Sequence, residues 1–330
     1  MAHIYDVTLR DGNHALRHSL SPQFAARYAK LADVSAAWAV EIGHGNGIGA
    51  SSFLVGESSY QDEELLSAVR SNLTRAKLAV HVIPGFATVD RDVKPAIGAG
   101  VDVFRLAAHV TEADVCEKHA EFLSEQGKYF QGVLMMSHMA DIPTLVGQAK
   151  LFEQYGAQAL IIMDSAGYFR PADVFDRIAA LVAEVGLDIG FHAHNNLGFG
   201  VSNALAAVEA GAQFVDGSSM GLGAGAGNAQ LELIAANLGI PEAAPEAFDA
   251  HLAMAHLVET EYVDFLPRIS PSSIQSGLAG VFSGYAPQVR QLVSEFGIPA
   301  GDLWSEIGKR KLVAGQESML REIAYDLMNL

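Results

Sequence analysis

The chain has 330 residues, half of them hydrophobic, with 32 glycines, and so has material for a large buried core, one big domain with a smaller second one. A formal net charge of −17 leaves no basic footprint for nucleic acid, and the single cysteine, Cys116, excludes an internal disulfide and fits a reducing compartment. With no signal peptide and no run of the ~18 apolar residues that a membrane helix needs, a soluble, cytoplasmic protein is expected.

The first apolar run, Ile4 to Thr8, predicts a strand that leads into Arg10, Asp11 and His14. Ala39 to Ile42 follows, containing Glu41 and running into His44. Lys77 to Ile83 holds His81, Asp102 to Leu106 runs into His109, and Gly132 to Met136 into Ser137-His138. Ala159 to Met163 ends in Asp164-Ser165-Ala166-Gly167. Leu187 to Phe191 delivers His192 and His194, and Phe214 to Asp216 precedes a glycine-rich loop, Gly221 to Gly227. Helical patterns such as Ala113 to Glu125 and Ile142 to Tyr155 fill the gaps. Strands alternating with helices predict parallel pairing, and eight of them predict an α/β fold, a closed (β/α)8 TIM barrel over residues 1–240. Pro241 and Pro245 lie in an Ala/Glu/Pro stretch expected to be a linker. Residues 245–330 carry helical patterns, broken at Ile269 to Ser273, and predict a helical C-terminal domain.

In such a barrel the chemistry sits at the C-terminal ends of the strands, and these ends are polar throughout. Residues two apart on a strand share a side, so His192 and His194 can reach one ion together with Asp11. Oxygen and imidazole donors without thiolate suit a divalent metal such as Mn2+, Mg2+, Co2+ or Zn2+ in an open, catalytic site. The alternative is a pair of histidines that cap buried carbonyls. Arg10 needs a carboxylate partner, for which Glu41 is the natural one, and its guanidinium can stabilise an oxyanion beside the metal. The alternative is a structural ion pair. His14 is either a proton carrier titrating near neutrality or a loop histidine. The loop from Met220 to Asn228 lacks a P-loop lysine, so its small residues are read as allowing close backbone approach, with Asn228 capping the next helix. Lys77 lies at the entrance of its strand. None of the other lysines falls near a strand's C-terminal end, which argues against Schiff-base chemistry and for an enolate stabilised by metal.

Six segments together carry a family resemblance: Asp6 to Gly12, Glu41 to Gly45, Leu134 to Met139, Asp164 to Gly167, His192 to Leu197, and Gly221 to Asn228. The chain resembles the metal-dependent 4-hydroxy-2-oxovalerate aldolases, class II pyruvate aldolases of meta-cleavage pathways. These belong to a wider group of barrels that includes isopropylmalate synthase and hydroxymethylglutaryl-CoA lyase. The resemblance implies reversible cleavage of 4-hydroxy-2-oxo acids to pyruvate and an aldehyde. It implies Asp11, His192 and His194 as ligands of a divalent metal, foremost Mn2+, Arg10 as the stabiliser of the pyruvate enolate, and His14 as the acid/base. Ser165 and His192 match substrate-contacting positions. Val313 to Glu317 resembles part of a helical communication domain, which implies an acylating aldehyde dehydrogenase as partner; a homo-oligomer is also expected. Two positions depart from the family: His81 stands where a leucine commonly faces the aldehyde, and Phe282 where a tyrosine is usual. Val80 or Val82 faces inward instead of His81 if the register is shifted by one, and Tyr285 could replace the lost phenol. The alternative function within the group is an acyl-CoA-dependent condensing enzyme or lyase.

Overall fold

The protein is described here by a computed structural model covering residues 2–313 and 316–329. Its barrel strands are β1 (His3–Asp6), β2 (Ala39–Glu41), β3 (Lys77–Val82), β4 (Val103–His109), β5 (Tyr129–Met135), β6 (Ala159–Asp164), β7 (Asp188–Ala193) and β8 (Phe214–Gly217). The helices are α1 (Gly12–Ala15), α2 (Pro22–Ala32), α3 (Asp62–Arg70), α4 (Lys94–Gly98), α5 (Glu117–Glu125), α6 (Ile142–Gln154), α7 (Pro171–Glu184), α8 (Gly200–Glu209), α9 (Leu231–Asn237), α10 (Ile240–Ala243) and α11 (Pro245–Tyr262). Four more follow among the described residues: α12 (Pro271–Ala279), α13 (Ala286–Phe296), α14 (Ala300–Lys309) and α15 (Glu317–Met328).

All eight strands are parallel and close in sequence order, β8 returning to β1, as the alternating pattern predicts. Their side chains alternate between two environments. Val40, Leu78, Val80, Val82, Phe104 and Leu106 face the helices and share one large cluster with them. The other face fills the barrel interior. Its lower end is apolar and aromatic: Trp38 packs against Phe214 at 4.9 Å and Tyr129 at 5.6 Å. Higher up, Ala79, Val103, Ala107, Val133 and Ile161 leave space that polar side chains occupy. The register pairs His81 with Arg105 and Arg105 with Gln131, so three polar residues lie side by side across β3, β4 and β5.

Local chemistry sets several helix starts. Ser21 accepts from the amide of Phe24 at 3.1 Å ahead of α2, and Asp141 from Thr144 at 2.9 Å ahead of α6. The stretch expected as a linker is helical instead, because Pro241 and Pro245 fall in the first turns of α10 and α11, where a missing N–H costs nothing. The helical pattern from Ala113 divides into a 3-10 turn, Ala113–Cys116, followed by α5.

Helix α11 contributes Ala247, Met254 and Val258 to the barrel's own cluster. Beyond it, Val281, Tyr285, Leu292, Trp304, Ile307 and Ile323 form a separate core. Hydrogen bonds join that region to the barrel rim: Asn196 Nδ2 donates to the Ser273 carbonyl, Ser276 and Ser283, at 3.1, 3.0 and 2.8 Å, and His138 Nε2 meets the Gly280 carbonyl at 2.9 Å. Among the described residues no helix is long and apolar enough to cross a membrane. Of the segment from Val313 to Glu317, Ala314 and Gly315 lie outside the described residues.

Candidate active site and metal centre

Asp11 immediately precedes the single turn α1, in the segment that follows β1; His192 lies in β7 and His194 follows it. One carboxylate oxygen and one ring nitrogen from each histidine lie within 4.8 Å of one another. Each member of the trio is buried. His192 Nδ1 faces Asp216 Oδ2 at 3.0 Å, whereas its Nε2 is buried with no hydrogen-bond partner, as is Nδ1 of His194. Buried polar atoms of this kind are costly unless a ligand satisfies them. The donor set, one oxygen and two imidazoles without sulfur, fits a divalent cation.

Asp11 is held by three groups. Arg10 Nη1 donates to its Oδ2 at 2.6 Å; Asn228 Nδ2 and the amide of Ala224 donate to Oδ1 at 3.1 and 3.4 Å. Asn228 therefore does not cap the following helix, whose cap position is Gln230. It braces a metal-binding carboxylate instead and also donates to the Leu222 carbonyl at 3.2 Å. The glycine-rich loop does allow close approach: a Cβ on Gly223 would stand 2.8 Å from Asp11 Oδ1. Burial would raise the Asp11 carboxyl, but Arg10 and the neighbouring histidines hold it well below the usual range. Burial draws His194 down to about 4, with Asp11 opposing.

Arg10 Nε donates to Glu41 Oε1 at 2.5 Å, the partnership expected from the sequence. Glu41 also accepts from Tyr5 Oη at 2.9 Å and lies 3.7 Å from Arg105 Nε. Arg105 grips Asp216 with two bonds of 2.6 and 2.8 Å, and its guanidinium carbon lies 3.2 Å from the Tyr5 ring centroid. A row of alternating charge thus runs through the barrel from Asp11 by way of Arg10, Glu41 and Arg105 to Asp216, whose carboxylate meets the His192 ring. Burial alone would raise Asp216, yet Arg105 and His192 bring it down to about 2. The carboxylate fixes the ring orientation of a metal-facing histidine. Arg105 and Tyr5 were not singled out from the sequence. The available signal was an arginine in the middle of an apolar run, at a position that alternation points inward.

His81 belongs to the same interior, with Arg10, Glu41 and Arg105 around it, and Val80 and Val82 face the helices. Burial and the arginines draw its pKa down to about 3. His14, on α1, hydrogen-bonds the Gly45 carbonyl; burial lowers its pKa and Asp11 raises it. Ser165 follows β6 and accepts from the Met136 amide at 3.0 Å. Phe282 sits at the seam with the C-terminal helices, its ring edge-on to Tyr285 at 6.3 Å. Among the described residues no hydrogen bond or ring contact joins it to the Asp11 cluster. Tyr285 donates its hydroxyl to the Val313 carbonyl, within the C-terminal core. His109 bonds Thr111 at 2.9 Å and, like His138, stands apart from the metal cluster.

Residues 2–263 match the HMGL-like family and residues 267–329 the DmpG-like communication domain. A 4-hydroxy-2-oxovalerate aldolase of Spirochaeta aurantia is 47% identical over 329 residues, covering 98% of this chain and 95% of that protein. The protein of the same description from Pectobacterium atrosepticum is 46% identical over 325 residues, covering 98% and 94%. The carboxyl transferase domain of Rhizobium etli pyruvate carboxylase shares the fold, with a TM-score of 0.81 at 18% identity over 99% of this chain and 60% of that one. With the two families matched in succession along the chain, and relatives this similar over nearly its whole length, the chain belongs to the 4-hydroxy-2-oxovalerate aldolase family.

Proposed function

We propose that the chain is a class II aldolase, a carbon–carbon lyase that reversibly cleaves 4-hydroxy-2-oxo acids into pyruvate and an aldehyde. One observation carries the reading beyond family membership. Arg10 has Nε on Glu41 and Nη1 on Asp11, while Nη2 is buried beside the metal cluster with no partner. A fixed, desolvated donor left open is what a developing oxyanion requires.

Asp11, His192 and His194 would hold a divalent cation, which when bound would supply Lewis acidity for the keto-acid carbonyl; Mn2+ is the expected ion, with Mg2+, Co2+ and Zn2+ as alternatives. In the cleavage direction His14, neutral at pH 7, accepts the proton of the C4 hydroxyl. The C3–C4 bond breaks as the C4–O carbonyl forms, and its electron pair passes into the C2–C3 enolate. Arg10 Nη2 donates to the enolate oxygen. A proton from water then adds at C3 to give pyruvate, the aldehyde leaves, and His14 returns its proton to solvent. Ser165, whose oxygen accepts from Met136, has its hydroxyl proton to offer the substrate. His192 is placed against the substrate as well as the metal. His81 and Phe282 are proposed to face the aldehyde, and Glu41 supports Arg10.

The division proposed from the sequence, a barrel over 1–240 and a helical region over 245–330, gives the C-terminal helices a second task. Through them the chain would meet an acylating aldehyde dehydrogenase able to take the released aldehyde, in a homo-oligomeric assembly within the cytoplasm. The test of the activity is a cleavage assay on a panel of 4-hydroxy-2-oxo acids. The protein is stripped with chelator and each metal is then restored, with pyruvate as readout. Cleavage that returns with metal, fastest with Mn2+, is the expected result. Full activity in excess chelator, or turnover confined to acetyl-CoA condensation, would overturn the reading.

A further inference from the structure

Three histidines stand at the edge of the site: His14, His18 and His44. The rings of His18 and His44 stack, centroids 3.6 Å apart and planes within 17° of parallel. His14 meets His18 edge-on at 5.3 Å. Of the three, the reaction above uses His14.

Each ring nitrogen of the stacked pair is engaged with backbone. His44 Nδ1 accepts from the Asn46 amide at 3.1 Å, and its Nε2 donates to the Gly56 carbonyl at 3.0 Å. His18 Nδ1 accepts from the Gly45 amide at 3.4 Å, and the ring donates to the Val55 carbonyl. A histidine that accepts at Nδ1 is neutral and carries its proton on Nε2. Burial works in the same sense, holding His18 at about 3 and His44 at about 4. Near neutral pH neither ring has a proton or lone pair to lend the substrate.

The peptide unit joining Gly45 to Asn46 shows what the pair does instead. Its N–H, on Asn46, points at His44. Its C=O, on Gly45, accepts from Arg10 Nη1 at 3.2 Å and also from His14. This rigid plane therefore has His44 on one edge and both reacting side chains on the other. Gly45 leaves no slack, since a Cβ there would lie 2.5 Å from the His14 ring. The backbone is also bent to deliver His18: Arg17 and His18 have φ of 53° and 60°, a left-handed conformation that side chains rarely adopt unless the surroundings enforce it.

We propose that His44, backed by the stacked His18, is a positioning residue that locks the Gly45–Asn46 peptide in the orientation aiming Arg10 and His14 at the substrate. This rests on the aldolase reading above.

The test compares His44→Phe, which keeps a stacking ring and loses both hydrogen bonds, with His44→Asn. An asparagine oxygen can accept from the amide two residues on, the same bond His44 makes. Misplacing reacting groups lowers turnover rather than binding, so His44→Phe should lose about tenfold or more in kcat, with KM within about threefold and bound metal per chain unchanged. His44→Asn should recover most of that loss. Turnover of His44→Phe within about twofold of the parent, or an Asn variant as slow as the Phe one, overturns the proposal. Should His44→Phe not fold, the isosteric pair His44→Asn and His44→Leu takes its place, with the Asn variant expected to be about tenfold the faster and equal rates being fatal. Nitrogen-15 spectra of the unmutated, metal-free protein give a second reading: His44 is expected as the neutral Nε2–H form at pH 7, and an Nδ1–H form overturns the proposal without any variant. If the parent cleaves none of the keto acids, the aldolase reading fails, and the spectra still judge the peptide lock. If the parent cleaves them and His44→Phe is unimpaired, the lock alone fails.

Discussion

Arg10 shows how one side chain can be held for chemistry. Two of its three nitrogens are tied to Glu41 and Asp11, and the third is left open. Arg10→Ala should lower turnover by on the order of 10² to 10³, the usual loss for one oxyanion donor, while the fold survives. Arg10→Lys should be nearly as slow, because a point charge cannot serve Glu41, Asp11 and substrate at once. Steady-state rates and a thermal melt check both; near-parental turnover of either variant would refute the role. His14→Ala should reduce turnover and leave the metal in place, since His14 lies outside the Asp11, His192 and His194 trio. Elemental analysis decides, and loss of metal would make His14 a ligand. In the acceptor half, His81→Leu and Phe282→Tyr should change the ranking of propanal, glycolaldehyde and glyoxylate and the product chirality. One orienting hydrogen bond is worth about 0.5–1.5 kcal/mol, enough to shift selectivity without stopping catalysis. An unchanged ranking in both variants would remove these residues from the acceptor site.

The elements that matter most are loops with little freedom. The turn after β8 lays Gly223 against Asp11 and Asn228, where a Cβ would stand 2.8 Å from one and 2.5 Å from the other. Gly223→Ala should therefore displace the carboxylate and weaken metal binding about tenfold or more, as perturbing the groups that orient a ligand commonly does. Titration calorimetry of the stripped protein with Mn2+ measures it, and an unchanged affinity would show that the loop yields. The glycines of this loop were read from the sequence as space-makers, which the close approach explains. Asn228 was read as a helix cap because it precedes a helical run; its actual bond to Asp11 crosses 217 positions, and nothing local announces it. The strand ends themselves were legible, since apolar runs ending in His, Asp or Arg mark the chemical face of a barrel. Arg105 was not, because its partner Asp216 lies 111 residues away and only barrel closure brings them together.

At the scale of the whole molecule, burial leaves several histidines neutral: His18 and His81 at about 3, and His44, His138 and His251 at about 4. Unfolded histidines take up protons as pH falls through 6.5, whereas these do so only near 4 or 3. In between, the unfolded chain binds more protons, so each of the five contributes stability present above pH 6.5 and lost progressively on acidification. Asp6 and Asp164, raised to about 6 by burial, act oppositely between pH 6 and 3.8, because the folded state protonates first. With His194, also at about 4, on the same side as these five, the histidines outweigh the two carboxyls and predict a net fall in the denaturation midpoint of the metal-free protein from pH 7 to pH 5. A flat or rising midpoint would show that these histidines are not buried in the neutral form.

The sequence by itself determined the order of strands and helices, the polar strand ends, the trio Asp11, His192 and His194 as candidate ligands, and the Arg10–Glu41 pair. Each of these is written in local periodicity, or in residue types that are costly to bury without a partner. Only the tertiary structure decided which nitrogen of His192 is free, which atom of Arg10 is left open, and how Asn228, Arg105 and His44 are employed. The bonds of Asn228 to Asp11 and of Arg105 to Asp216 join residues far apart in the chain that only the closed barrel brings together, and the free atoms of Arg10 and His192 and the setting of His44 follow from side-chain orientations that local periodicity does not encode.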